Sequence, residues 1–374
     1  MVTIVDADGH IVEPHALWDE YTEPQYRDRV IQIRRSAEGL DEFWINGERR
    51  RGLAGGSVAA SMIPGGFLTP ERTRTATWDD ILPGSWDPHE RIKVMDAERI
   101  DIAVLYPSLW LIYGDFADPR VAVAACRAYN RWMGDFCKPY PRRLFGVAPM
   151  PIVDVDEAIK EMRRVAKEST FKSIMIRPNP FNGRRLNDPA YEPFWREAQE
   201  LDLPVSVHSS FGTRMPTLGG DRYANDVFSF HMLCHPFEQQ AACMDMICGG
   251  VLQKFPRLRV GFLECGVGWL GYWLDRMDSH FEKMGSLVPW LKRRPTEYFM
   301  EQCYLSLDPD ERTLAAMCEL GLDRNILWGS DYPHFDCTYP GVVAEIEGAL
   351  SVLSEGSRKN IMRENAIRFY KLAT

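Results

Sequence analysis

From residue 87 onward the chain alternates short apolar runs with longer stretches in which apolar residues recur every three or four positions. The runs 102–106, 144–149, 173–177, 204–208, 258–264, 303–307 and 326–329 have strand length and are apolar on both faces. Between and after them, residues 87–99, 119–138, 154–168, 189–201, 226–254, 268–284, 310–319, 340–354 and 357–371 carry helical spacing. Pro88 falls in a first turn and Asp154 at an N-cap position. With the opening run Val5-Asp-Ala-Asp-Gly-His10, eight strands are predicted, most of them separated by helices. Strands buried on both faces and joined by helices make a parallel sheet, and eight such units close as an α/β fold of the (β/α)8 TIM-barrel type. A doubly wound open sheet is the alternative, but no GxGxxG follows the first strand. Residues 13–85 break the rhythm with many charges, the strand-like EFWING and a glycine-rich run from Gly52 to Gly66. A tract that long is expected to be an ordered insertion after strand 1, covering the site, with a surface loop as the plainer reading. No repeat divides the chain, so residues 1–374 are read as one domain.

Polar residues interrupt the apolar runs mainly at their ends. Alternation along a strand puts Asp6, Asp8 and His10 on one side. A carboxylate beside an imidazole suits a divalent metal. His208 ends the run PVSVH and Asp331 follows NILWGS, so two more candidate ligands stand at the ends of distant strands. A barrel gathers its site at that rim. Singly, Asp8 reads as a turn acid and His10 as a core histidine; the four together read as a metal centre.

The 45% hydrophobic and 26% charged composition is that of a globular chain with a sizeable core. The net charge of −9, with no basic tract, argues against nucleic acid or an anionic membrane surface as partner. No run reaches spanning length, nothing resembles a leader peptide, and the nine cysteines never fall as CxxC. A cytoplasmic protein with reduced thiols is expected.

The sequence D-A-D-G-H over 6–10, His208, the stretch GVLQKFPRLRVGFLE over 250–264 and G-S-D-Y-P over 329–333 follow one another in an order that resembles the amidohydrolase superfamily. Within it they resemble the amidohydrolase-2 group, which includes aminocarboxymuconate-semialdehyde decarboxylase and the resorcylate-type decarboxylases. The resemblance spans essentially the whole chain. It implies that Asp8, His10, His208 and Asp331 hold one divalent ion, zinc first and iron or manganese as alternatives, with Asp6 in a supporting place. It also implies a homodimer or higher homo-oligomer. Two departures from the wider superfamily stand out. Arg177 lies near the position where other members bridge two metals, and it is read either as a holder of a substrate carboxylate or as an internal ion pair. Glu264 stands where the decarboxylases carry a histidine, and it is read as a ligand, a proton shuttle or a hydrogen-bond acceptor.

The expected catalytic residues are Asp331, His235, Glu264 and His334. His231 and His235 are four apart on a predicted helix and would share a face. Arg214 and Arg222 follow strand 5 and are read as contacts for an anionic substrate or as solvated charges. Trp110, Trp18 and Phe211 are read as pocket aromatics, with core packing as the alternative. The function expected is non-oxidative decarboxylation of a small aromatic or unsaturated carboxylic acid. A metal-dependent hydrolase of a C–C, C–N or ester bond is the alternative, and a metal-stabilised barrel without turnover is the third reading.

Overall fold

In this computed structural model the described residues are 3–50, 56–65, 68–113, 116, 118–210, 215–223 and 225–373, the side chains of 112–113 excepted. Strand β1 (Val5–His10) opens the chain, and all six of its residues are buried. The insertion follows, with β2 (Ile31–Arg35), β3 (Asp41–Ile45) and β4 (Glu48–Arg50) paired antiparallel as a separate small sheet. A 3-10 turn (Val58–Met62), buried throughout, and the helix Pro70–Thr75 complete most of it. The regular part then runs through β5 (Ile102–Tyr106), β6 (Leu144–Pro149), β7 (Phe171–Ile176), β8 (Val205–His208), β9 (Val260–Leu263), β10 (Cys303–Leu307) and β11 (Ile326–Trp328).

These seven and β1 form one parallel sheet in the order β1-β5-β6-β7-β8-β9-β10-β11. The two ends meet: Asp331 N–H donates to Asp8 O at 3.0 Å, and His10 N–H donates to Tyr332 O at 2.8 Å. The result is the expected TIM barrel, its strands apolar because side chains from both faces are packed. Asp87, Asp118 and Asp154 each accept backbone N–H groups at the start of the helices Pro88–Glu98, Pro119–Cys137 and Val155–Val165. Proline fills the first position of the first two, where its missing N–H costs nothing.

Three expectations need correction. The helix expected over 226–254 is two helices, Val227–Ile247 and Val251–Lys254. Gly250, at φ +83°, takes the left-handed conformation that separates them. A helix, Pro295–Gln302, precedes β10 where none was anticipated. The helix predicted over 310–319 shrinks to Leu314–Glu319, because Glu311 at its front is spent on the rim of β9, where it accepts the N–H groups of Val267 (2.7 Å) and Gly268 (2.8 Å).

Where the barrel closes, the backbones approach very closely. A Cβ added to Gly329 would lie 2.2 Å from Asp8 Cβ and 2.8 Å from Asp8 O. Gly329→Ala is therefore expected to lower stability by about 2 kcal/mol, since neither strand can retreat without opening the ring. A urea midpoint equal to that of the native protein would contradict this.

Candidate metal centre

The strand ends of β1, β8 and β11 bring Asp8, His10, His208 and Asp331 together at one rim. One nitrogen or oxygen from each of Asp8, His10 and His208 lies within 4.8 Å of the others, and all three residues are buried. His10 Nε2 is 3.2 Å from His208 Nε2, 3.9 Å from Asp8 Oδ1 and 3.4 Å from Asp331 Oδ1. His208 Nε2 is 3.5 Å from Asp8 Oδ1.

The tautomers follow from the partners. His10 Nδ1 lies 2.9 Å from Pro107 O, and His208 Nδ1 lies 2.8 Å from Ser209 O. A carbonyl only accepts, so in each neutral ring Nδ1 carries the proton and Nε2 presents a lone pair. Burial, with His334 and His208 alongside, holds the His10 pKa well below its ordinary value and so favours the neutral ring. With both rings neutral, the two Nε2 lone pairs face each other at 3.2 Å. Asp8 adds a third: its Oδ2 accepts from Ser306 Oγ at 2.9 Å, whereas its buried Oδ1 has no hydrogen-bond partner among the described residues. An arrangement of unshared electron pairs buried this way is costly unless a cation sits among them. The donor set, two imidazoles with carboxylates, fits a divalent ion such as zinc, iron or manganese.

The surrounding residues fix these groups. Asp6, nearly fully buried, accepts from Ser330 N–H at 2.8 Å and Ser330 Oγ at 2.6 Å, locking β1 to the segment that carries Asp331. Gly9 is required beside it, since a Cβ there would lie 2.5 Å from Asp6 Oδ2. Ser306 Oγ, besides donating to Asp8, accepts Glu264 N–H at 2.7 Å. Beneath the centre, hydroxyls link Ser173, Ser206, Tyr106 and Tyr370 at 2.6–2.8 Å, and Tyr370 donates to Ala7 O. Asp331 and Glu264 both adopt positive φ, +51° and +52°, at their strand ends. Backbone strain of that kind persists only where neighbours enforce it, and it gathers at functional sites.

The expected acids and bases also gather here. His334 Nδ1 lies 2.8 Å from Asp331 Oδ1, and its Nε2 lies 3.0 Å from Ser108 Oγ. Glu264 Oε2 is 3.5 Å from His208 Nδ1, and its Oε1 is 3.6 Å from His235 Nδ1. Burial, then the nearby carboxylates of Asp331, Asp336, Asp8 and Asp308, pushes the Glu264 carboxyl well above its usual range. Asp331 is raised in the same way, by burial and then by Asp336 and Asp8. His231 and His235 do share a helix face, with ring centroids 4.8 Å apart. Together with Asp8, Glu264, Asp308, Asp331 and Asp336, they line a cavity of about 440 Å³. The insertion reaches this rim: Ser61 and Met62 line a smaller hollow beside it with His235, Glu264 and His334, and Ser61 O accepts Phe335 N–H at 3.0 Å.

The expected substrate contacts fare differently. Arg177 is wholly buried. Its guanidinium donates to Leu111 O, Ser210 O and Asn179 Oδ1. It thus ties rim loops to each other instead of facing the cavity. Trp110 and Trp18, at 2% exposure each, are core residues. Arg222 is exposed beside Asp221. Arg214 and Phe211 lie outside the described residues. Sequence reasoning missed Ser306, Asp336, Ser108 and Glu13, the last held in the core with three backbone N–H groups on its carboxylate. Their common signal, a polar residue just past an apolar run, was present for Ser108 and weak for the rest.

The amidohydrolase family model matches residues 5–372. A 2-amino-3-carboxymuconate-6-semialdehyde decarboxylase of Dictyostelium discoideum is 26% identical over 92% of this chain and 92% of its own length. A gamma-resorcylate decarboxylase of a Rhizobium species is 28% identical over 84% of this chain and 93% of its own. Among solved structures, a dihydroxybenzoic acid decarboxylase of a Polaromonas species, with bound manganese and the inhibitor 2-nitroresorcinol, superposes with a TM-score of 0.67 at 20% identity, covering 100% of this chain and 98% of that one.

Proposed function

The chain belongs to the amidohydrolase family, and on that premise we propose that it is a metal-dependent, non-oxidative decarboxylase of a small aromatic acid. The observation that carries this reading is the approach of His10 Nε2 and His208 Nε2 to 3.2 Å, with Asp8 Oδ1 beside them lacking a hydrogen-bond partner among the described residues. Asp8, His10, His208 and Asp331 would hold one divalent ion; of the candidates zinc, iron and manganese, the last is found in the Polaromonas enzyme. When bound, the ion supplies a fixed positive charge that gathers the substrate's carboxylate and an adjacent oxygen.

The remaining work falls to the chain's own side chains. Asp331 delivers a proton to the ring carbon that bears the carboxylate, while His334 steadies its Oδ1. The C–C bond then breaks, its electron pair stays with the ring, and carbon dioxide leaves. Glu264 and His235 face the same cavity and pass a proton from solvent back to Asp331, replacing the one given to the ring. The insertion's turn at Val58–Met62 packs against this rim, where Ser61 O accepts Phe335 N–H and Ser61 and Met62 line the hollow beside His235, Glu264 and His334.

Hydrolysis is the second reading, favoured by Glu264. Its carboxyl, raised by burial and set between the His208 and His235 rings, suits a group that takes a proton from attacking water.

The test is elemental analysis of purified protein, followed by a screen of hydroxylated benzoates with manganese-, zinc- or iron-loaded enzyme. About one ion per chain and carbon dioxide released in step with a phenolic product are expected. Protein that takes up no metal even on reconstitution would overturn the reading. Ester or amide cleavage without carbon dioxide would favour hydrolysis.

A further inference from the structure

Glu13 is fully buried three residues beyond His10, and the proposed chemistry does not use it. Its carboxylate accepts three consecutive backbone N–H groups: Ser108 at 3.3 Å and Leu109 at 2.8 Å on Oε2, and Trp110 at 2.9 Å on Oε1. The segment it grips is the one that orients two imidazoles at the metal centre. Pro107 O faces His10 Nδ1 at 2.9 Å and so fixes the tautomer that presents Nε2. One residue on, Ser108 Oγ meets His334 Nε2 at 3.0 Å, while His334 Nδ1 holds Asp331 Oδ1 at 2.8 Å. The His334 and His10 rings lie against each other, with centroids 4.1 Å apart.

We propose that Glu13 is a positioning residue for the metal centre. It sets the Pro107–Ser108 peptide, and through that peptide the imidazoles of His10 and His334 and the carboxylate of Asp331. This role rests on the metal-centre reading above. A carboxylate is an expensive choice for the place, since burial lifts Glu13 to a pKa of about 7 despite its hydrogen bonds. What it offers over a neutral amide is two acceptor oxygens in one plane for three donors. Glutamine would turn an NH2 group toward an N–H and free one end of the peptide. Groups that orient a ligand in this indirect way typically change metal affinity or activity by about 10- to 100-fold when replaced.

The experiment uses cobalt(II) as a visible probe, on wild type, Glu13→Gln, Ser108→Ala and Ser108→Thr. Glu13→Gln is expected to bind cobalt about ten-fold more weakly, with a changed ligand-field absorption. Ser108→Ala should shift that absorption in the same sense by less, and Ser108→Thr, which keeps the hydroxyl, should restore it. A role confined to stability would lower the melting temperature of Glu13→Gln and leave the absorption of its folded fraction unaltered, which overturns the proposal. If Glu13→Gln does not fold, the Ser108 pair decides, and equal spectra for alanine and threonine overturn it. Wild type that binds no cobalt would remove the metal centre itself and this role with it, an outcome distinct from a normal spectrum shared by wild type and variants.

Discussion

His208→Ala protein is expected to be purified with far less than one metal ion per chain and with activity lowered by about three orders of magnitude. The loss is large because two things disappear together. The Nε2 lone pair that faces His10 at 3.2 Å goes, and the remaining ligands, Asp8, His10 and Asp331, no longer surround an ion. A fixed divalent charge contributes several kcal/mol to a reaction that builds negative charge, and about 4 kcal/mol is a thousand-fold in rate. Stability should move differently. Without an ion, the His10 and His208 lone pairs oppose each other beside Asp8 Oδ1. Removing one imidazole relieves that opposition while leaving a cavity in a buried place. The metal-free variant is therefore expected to be close to metal-free wild type in melting temperature, whereas metal should raise the melting temperature of wild type alone. Metal analysis with thermal melts in the presence and absence of a chelator checks both parts. Full metal content in His208→Ala would remove His208 from the ligand set.

The clustering of these side chains at one rim was legible in the sequence for a simple reason. His10, His208 and Asp331 are polar residues ending or just following apolar strands, where burial leaves little room for a polar group without a task. The barrel was legible on the same ground, since seven two-sided apolar runs and the opening strand have few ways to cover both faces. What stayed hidden depends on backbone acceptors and donors, which have no residue signature. Arg177 read equally as a substrate contact or an internal ion pair because only its charge shows in the sequence; the carbonyls of Leu111 and Ser210 to which it donates do not. Glu13 sat in an irregular tract without periodicity, so nothing marked the three N–H groups waiting for it. Ser306 read as a small filler in the strand CYLSL, yet its hydroxyl joins Asp8 to the Glu264 backbone. The break at Gly249-Gly250 was written in the sequence but outweighed by the helical spacing on both sides of it.

Asp331→Asn separates holding the ion from moving the proton. Asparagine suits the position: Asp331 sits at φ +51°, a conformation that asparagine tolerates as readily as aspartate. The amide oxygen can still accept from His334 Nδ1, and the N–H bond to Asp8 O that closes the barrel belongs to the backbone. Fold and rim geometry should therefore survive, and Asp8, His10 and His208 should retain metal, though less tightly. The amide cannot carry a proton at any working pH. General acid–base catalysis contributes about 10²- to 10⁴-fold, so kcat is expected to fall by about a thousand-fold with KM changed by little. Steady-state kinetics on the metal-loaded variant, with circular dichroism as the control for folding, provide the check. A variant that keeps its metal and more than a tenth of wild-type kcat would move the proton-transfer role from Asp331 to the Glu264–His235 pair. Glu264→Gln would then be the substitution that abolishes turnover, and the balance between decarboxylation and hydrolysis would shift toward attack by water.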